Sequence, residues 1–220
     1  MNVRLGIYEI FSRIVPGGFY IAAIYQFLTV LGLVSLDWQT INNISIISSI
    51  GLVIIAYILG EALDRFAVVW FRIFKKRGFS NRVLAEFKQS HQDRWNLDIT
   101  DNEWPVMLAY IRTKSLELAG EIERHNALSI MLRNVSFGLL LMTINSVIQF
   151  FLIRNVSNFL LIIVLLLVSI LIGREAVKFR RWFYEGVFQT TLAYRFDLEN
   201  KIKPVQPAPK RNKEKQTADS

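Results

Sequence analysis

Four stretches of this chain, residues 19–36, 45–60, 135–152 and 159–173, contain no charged residue, while nearly all the charge lies before the first, between the second and third, and after the fourth. A soluble domain interleaves apolar and polar residues at helical or strand period, so that one face meets water. A charge-free block of about 18 residues instead rises about 27 Å as a helix, close to the hydrocarbon thickness of a bilayer. The positive mean hydropathy agrees. The expectation is an all-α integral membrane protein with about four transmembrane helices in two hairpins, a helical cytoplasmic insert between them, and a disordered basic C-terminal tail.

The charges set the expected orientation. Lys and Arg number 26 against 18 Asp and Glu. In a soluble protein that excess would suggest nucleic-acid binding. Here the positive-inside rule accounts for it, and no direct nucleic-acid binding is expected. The two short links between spans carry one charge each, Asp37 and Arg154, and nearly all the Lys and Arg lie in the other three segments. Both termini and the insert are therefore expected in the cytoplasm, in a multi-pass protein of the cell inner membrane. The absence of cysteine excludes disulfides, thiol catalysis and cysteine-ligated metal. No cleavable signal sequence is expected, because the first apolar block runs long and lacks a small-x-small cleavage site.

Residues 1–15 place Val3, Ile7, Ile10, Phe11 and Ile14 at helical spacing, as an amphipathic interfacial helix does. Pro16-Gly17-Gly18 then breaks the direction, and residues 16–66 form the first transmembrane hairpin. Its second helix is expected to continue past Glu61 and Asp64 into a basic run closed by Gly78 as a C-cap. Residues 67–126 form the insert. Ser80 caps a helix running to about residue 93, Asn96 to Asp101 make a turn, and Thr100 to Glu103 have capping-box spacing ahead of Pro105. One long helix then rises into the second hairpin, residues 127–181. An aromatic helix, residues 182–200, and a Pro- and Lys-rich disordered tail, 201–220, complete the chain.

Three constellations are candidates for function. Asn134, Gly138, Asn145 and Gln149 share one face of the third span. Amides at that depth must face protein or water, either as glue between helices or as a pore or oligomer seam. The small pairs Gly18/Ala22, Ala56/Gly60 and Ser169/Gly173 permit close helix approach. At the cytoplasmic mouth, Glu61, Asp64 and Arg65 leave the second span while Glu117, Glu121, Arg124 and His125 approach the third. If those helices pack antiparallel, the charges meet, either as salt bridges that fix a hairpin or as a gate or sensing site.

No nucleotide-binding glycine motif, serine-nucleophile elbow or paired metal-ligating histidines appear, since His91 and His125 are far apart. No catalytic residue, metal or cofactor is expected. The sequons at Asn43, Asn134 and Asn155 are treated as chance.

The order of an amphipathic start ending in RIVPGG, a hairpin ending in GEALDR, an insert ending in GEIERHNALSIMLRN and a second hairpin resembles small bacterial four-helix membrane proteins. Some of these are membrane effectors of anti-phage defence operons. The resemblance covers the architecture of residues 4–180 and rests on no specific motif, so it transfers no site residue. It implies a non-enzymatic homo-oligomeric effector or channel-like assembly in the bilayer, receiving a signal on its insert from a cytoplasmic protein or nucleotide. The alternative is a membrane anchor or scaffold subunit that docks a cytoplasmic partner.

Overall fold

The computed structural model describes residues 3–34, 46–75, 78–91, 95–97, 100–153, 156–194 and 202–204. The link carrying Asp37, the link at Arg154-Asn155, the residues Lys76-Arg77 and the tail from residue 205 lie outside the described residues. What is described is helical except for one short two-stranded ladder.

Helix α1, Val3–Val30, runs through Pro16. Proline lacks the N–H that would bond the carbonyl four residues back, and it normally kinks or ends a helix. The separate interfacial helix and first span expected from Pro-Gly-Gly are therefore one element. Packing overrides the local signal. Pro16 and Gly17 are buried where α1 crosses α2, Ile46–Ala62. A Cβ on Gly17 would strike the Ala56 carbonyl, and one on Gly60 the Arg13 carbonyl. Ala56 and Gly60 thus make the close approach their spacing predicts. On α1 Gly17 meets Ala56 and the Arg13 backbone meets Gly60, while Gly18 and Ala22 are exposed.

Leu63 turns the chain into α3, Asp64–Phe71. Gly78 has φ +67°, but it does not cap that run. It lies beyond the end of α3 and opens α4, Phe79–His91, where its carbonyl accepts from Arg82 N–H at 2.9 Å. A three-residue strand β1, Trp95–Leu97, follows and overlaps the start of the expected turn. The Thr100 N–H then donates to Glu103 Oε2 at 3.2 Å, heading a 3-10 turn that leads into α5, Trp104–Lys114, with Pro105 in its first turn. The single long helix expected from here is interrupted. Ser115 is extended, and its Oγ accepts from Leu118 N–H at 3.3 Å, capping a new helix. That helix, α6, spans Leu116–Ile153. Helix α7, Val156–Ala193, has the same 38 residues and absorbs most of the expected aromatic helix. Strand β2, Ile202–Pro204, pairs antiparallel with β1, so residues 202–204 of the expected disordered tail are in a ladder.

The packing has two layers of opposite character. In the head, α4, α5, the start of α6 and the end of α7 close an apolar core around Phe87, Met107, Ile111, Ile122, Phe183 and Phe188. The sequence insert is therefore not self-contained, because residues 183–188 complete its core. In the other layer α2 packs on α1, α1 on α6 and α6 on α7, a row with α2 and α7 at its ends. There the buried residues include the polar Asn134, Ser136, Thr143, Asn145, Ser146 and Ser169 beside Tyr20, Ala23, Ala56, Val135 and Leu139, while Ile47, Ile54, Leu160 and Leu171 are more than half exposed. Polar inside and aliphatic outside is the pattern of helices solvated by hydrocarbon. Helices α6 and α7 are long and apolar enough to cross a membrane. At 1.5 Å per residue each is about 57 Å long, roughly twice a bilayer's hydrocarbon core, so both continue into the head.

Candidate functional site

Where the apolar row meets the head, α1, α2, α3 and α6 bring four charges together. Arg13 of α1 reaches Glu61 Oε2 from Nε at 2.9 Å and Asp64 Oδ1 from Nη1 at 3.0 Å. Arg133 of α6 donates to the same Asp64 oxygen. Asn134 Nδ2 donates to it at 2.7 Å, and Tyr20 OH donates to Asn134 Oδ1 at 3.2 Å. One carboxylate oxygen therefore ties α1 and α6 to the start of α3. Burial pushes the Asp64 carboxyl up, but the Asn134 hydrogen bond and the Arg133 and Arg13 guanidinium groups outweigh it and hold the group below the usual carboxylate range.

The cluster is incompletely satisfied. Arg133 Nε is buried without a hydrogen bond, and the contact of Arg13 Nη1 with Asp64 is an ion pair without hydrogen-bond geometry. Beside it Lys75 sits below its ordinary range, lowered by burial and then by Arg180 and Arg133. Positive charge is crowded at this level.

Of the charges expected at this mouth, Glu61 and Asp64 are in the cluster. Arg65, Glu117, Glu121 and Arg124 are exposed and outside it. Register explains the difference. Glu121 lies 12 residues before Arg133, about 18 Å along the helix, which places it beside the head. His125 packs instead on Phe179 and Trp182 of α7, at ring-centroid distances of 6.1 and 5.8 Å. Arg13 and Arg133 were missed as partners. Each is a lone cation at the border of an apolar block, and that position was the available signal.

The amide face of α6 is directed at α1. Asn134 is fully buried, Gly138 lies against Phe19 and Tyr20, and Asn145 Nδ2 donates to the Ala23 carbonyl at 2.7 Å. Gln149 is half-buried. Gln26 adds a bond to Ser146 Oγ at 3.0 Å. These hydrogen bonds run between helices of one chain. The opposite side of α6 is joined to α7 by a reciprocal pair. Ser136 Oγ donates to the Ser169 carbonyl and Ser169 Oγ to the Ser136 carbonyl, each at 2.7 Å, and Trp70 Nε1 donates to Ser136 Oγ at 2.9 Å.

On the head side of the cluster lies a cavity of about 300 Å³ between the first turns of α1, the body of α5 and the lower part of α6. Arg13 lines it and so belongs to both cavity and cluster. Arg112 of α5 is paired there with Glu123 of α6, and Asn126 Oδ1 accepts from Arg180 of α7. Among the described residues no group of His, Asp and Glu is placed to hold a metal ion. Compared with known protein families, curated proteins and solved structures, the chain matches none.

Proposed function

We propose that the chain is a four-span protein of the bacterial inner membrane, with both termini and the head in the cytoplasm, acting as an oligomeric membrane effector that responds to a signal received by the head. The observation that carries this reading is the continuity of α6 and α7 from the apolar row into the head core. A tethering protein needs only a flexible joint between its span and its docking domain. Here a displacement in the head has no hinge in which to dissipate before it reaches the spans. The cluster on Asp64 adds α1 and α3 to the same rigid junction. A part in anti-phage defence is suggested by the architectural resemblance alone.

The hydrogen bonds that Asn134 and Asn145 make within the chain support the second reading, a membrane anchor for a cytoplasmic partner. Overexpression with reconstitution separates the two. An effector arrests growth and releases a trapped ion from vesicles, and a Gly-Ser insertion after Glu175, which uncouples α7 from the head, abolishes both while the protein still inserts. A wild-type protein that neither arrests growth nor releases ions leaves the anchor.

A further inference from the structure

The cavity beside Arg13 has the size, charge and position of a ligand site. Its volume of about 300 Å³ suits a small organic group at the lower end of ligand pockets. Its walls come from three helices, so whatever fills it bridges α1, α5 and α6. Arg13 and Arg112 stand in the lining with Glu123 as its one carboxylate among the described residues, and Arg180 is held against the lining residue Asn126. Behind Arg13, Glu61 and Asp64 answer Arg13 and Arg133, and Glu123 answers Arg112, so Arg180 on Asn126 is the guanidinium left without a carboxylate among these groups. Ser12 and Asn126 supply further polar groups, and Trp104 and Ile130 an apolar wall.

We propose that this cavity binds an organic phosphate, with Arg13 and Arg112 gripping the phosphate and Trp104 and Ile130 flanking its carbon portion. A planar guanidinium matches phosphate oxygens in pairs, which an ammonium does not. The uneven charge selects an anion, and the mixed lining selects one with an apolar or planar part. Two sources offer this chemistry. A lipid headgroup is one, since Tyr8, Ser12 and Arg13 line the cavity on the stretch of α1 where Ile10 and Phe11 are exposed. A soluble organic phosphate is the other, since α5 and α6 of the head form the remaining walls. The phosphate competes with Glu61 and Asp64 for Arg13 and with Glu123 for Arg112, so occupancy loosens the hold of α1 on α3. This rests on reading the head as the receiving end, but binding is measured directly, so its failure and a failure of vesicle release are separate results.

The test uses the full-length protein in nanodiscs. Sodium phosphate and ATP are titrated in pure phosphatidylcholine discs, and binding of a short-chain phosphatidylglycerol is measured in the same discs. Arg112→Glu reverses an exposed charge, and Ile130→Trp fills the cavity. The elution volume of each variant verifies its fold. Saturable binding of ATP that both variants weaken about tenfold or more assigns a soluble phosphate. Saturable binding of the short-chain lipid alone, weakened in the same way, assigns a headgroup. The proposal is overturned if no probe binds saturably, or if binding is indifferent to both variants.

Discussion

The Asn134 side-chain amide donates to Asp64 Oδ1 at 2.7 Å across 70 residues of sequence. Through that bond an amide on the most polar face of α6 meets the carboxylate that opens α3, and Arg133 and Arg13 converge on the same oxygen. The contact places the charge at the end of the apolar row, where α1, α3 and α6 are held in one register.

Removing Asp64 should therefore cost far more than removing a surface charge. Arg133 and Arg13 have side chains 13% and 18% exposed, and losing the partner of a buried ion costs about 3 kcal/mol. Asp64→Ala is expected to lower the thermal midpoint in detergent sharply, and Asp64→Ala with Arg133→Leu to recover part of the loss. A midpoint equal to wild type for the single variant would show that the cluster is solvated.

The pH dependence has a defined sign. The folded state depresses the Asp64 carboxyl below its ordinary 3.8. Its stabilisation is thus fully present above that value and is lost as pH falls through the folded pKa. The stability difference between wild type and Asp64→Asn should hold steady from neutral pH to about pH 5 and shrink only below about pH 4. Unfolding curves of both proteins across that range check it, and a difference already shrinking at pH 6 contradicts the assignment.

Neighbouring glycines should respond oppositely. A Cβ at Gly60 meets the Arg13 backbone, which cannot move aside as a side chain can, whereas a Cβ at Gly18 meets nothing within 4 Å. Gly60→Val is expected to destabilise by about 2 kcal/mol and Gly18→Ala to be nearly neutral. Equal effects would mean that the α1–α2 crossing is looser than described.

Asn145→Leu should weaken the fold of the single chain, because it removes the bond to the Ala23 carbonyl between α6 and α1. The expected loss is about 1 kcal/mol, with the particle size in mild detergent unchanged. Dissociation of a larger particle by this substitution would move the amide to a contact between copies.

Topology gives the broadest check. Reporter fusions at Gly78, Gly120 and the C-terminus should report the cytoplasm, and fusions at Asn42 and Asn155 the opposite side, because Lys and Arg concentrate in the first group of segments. A reading from the opposite side at Gly120 contradicts the four-span arrangement.

The sequence by itself determined the helical class and the position of the apolar segments. Long charge-free blocks such as 159–173 can satisfy their backbone in hydrocarbon only within themselves, so no distant contact is needed to select a helix. It also located Ala56 and Gly60 as a close-approach face and Thr100 to Glu103 as a helix start, since both depend on neighbours in the chain. Only the tertiary structure decided the rest. Pro16 stays inside a helix because α2 packs on Gly17, and Ser115 ends α5 although no strong breaker marks the place. Residues 183–188 join the head core because α7 does not stop at the end of its apolar stretch. Asp64 pairs with Arg13 and Arg133 rather than with nearer charges because partners across a bundle are set by helix register, and register is fixed by packing between segments far apart in the chain.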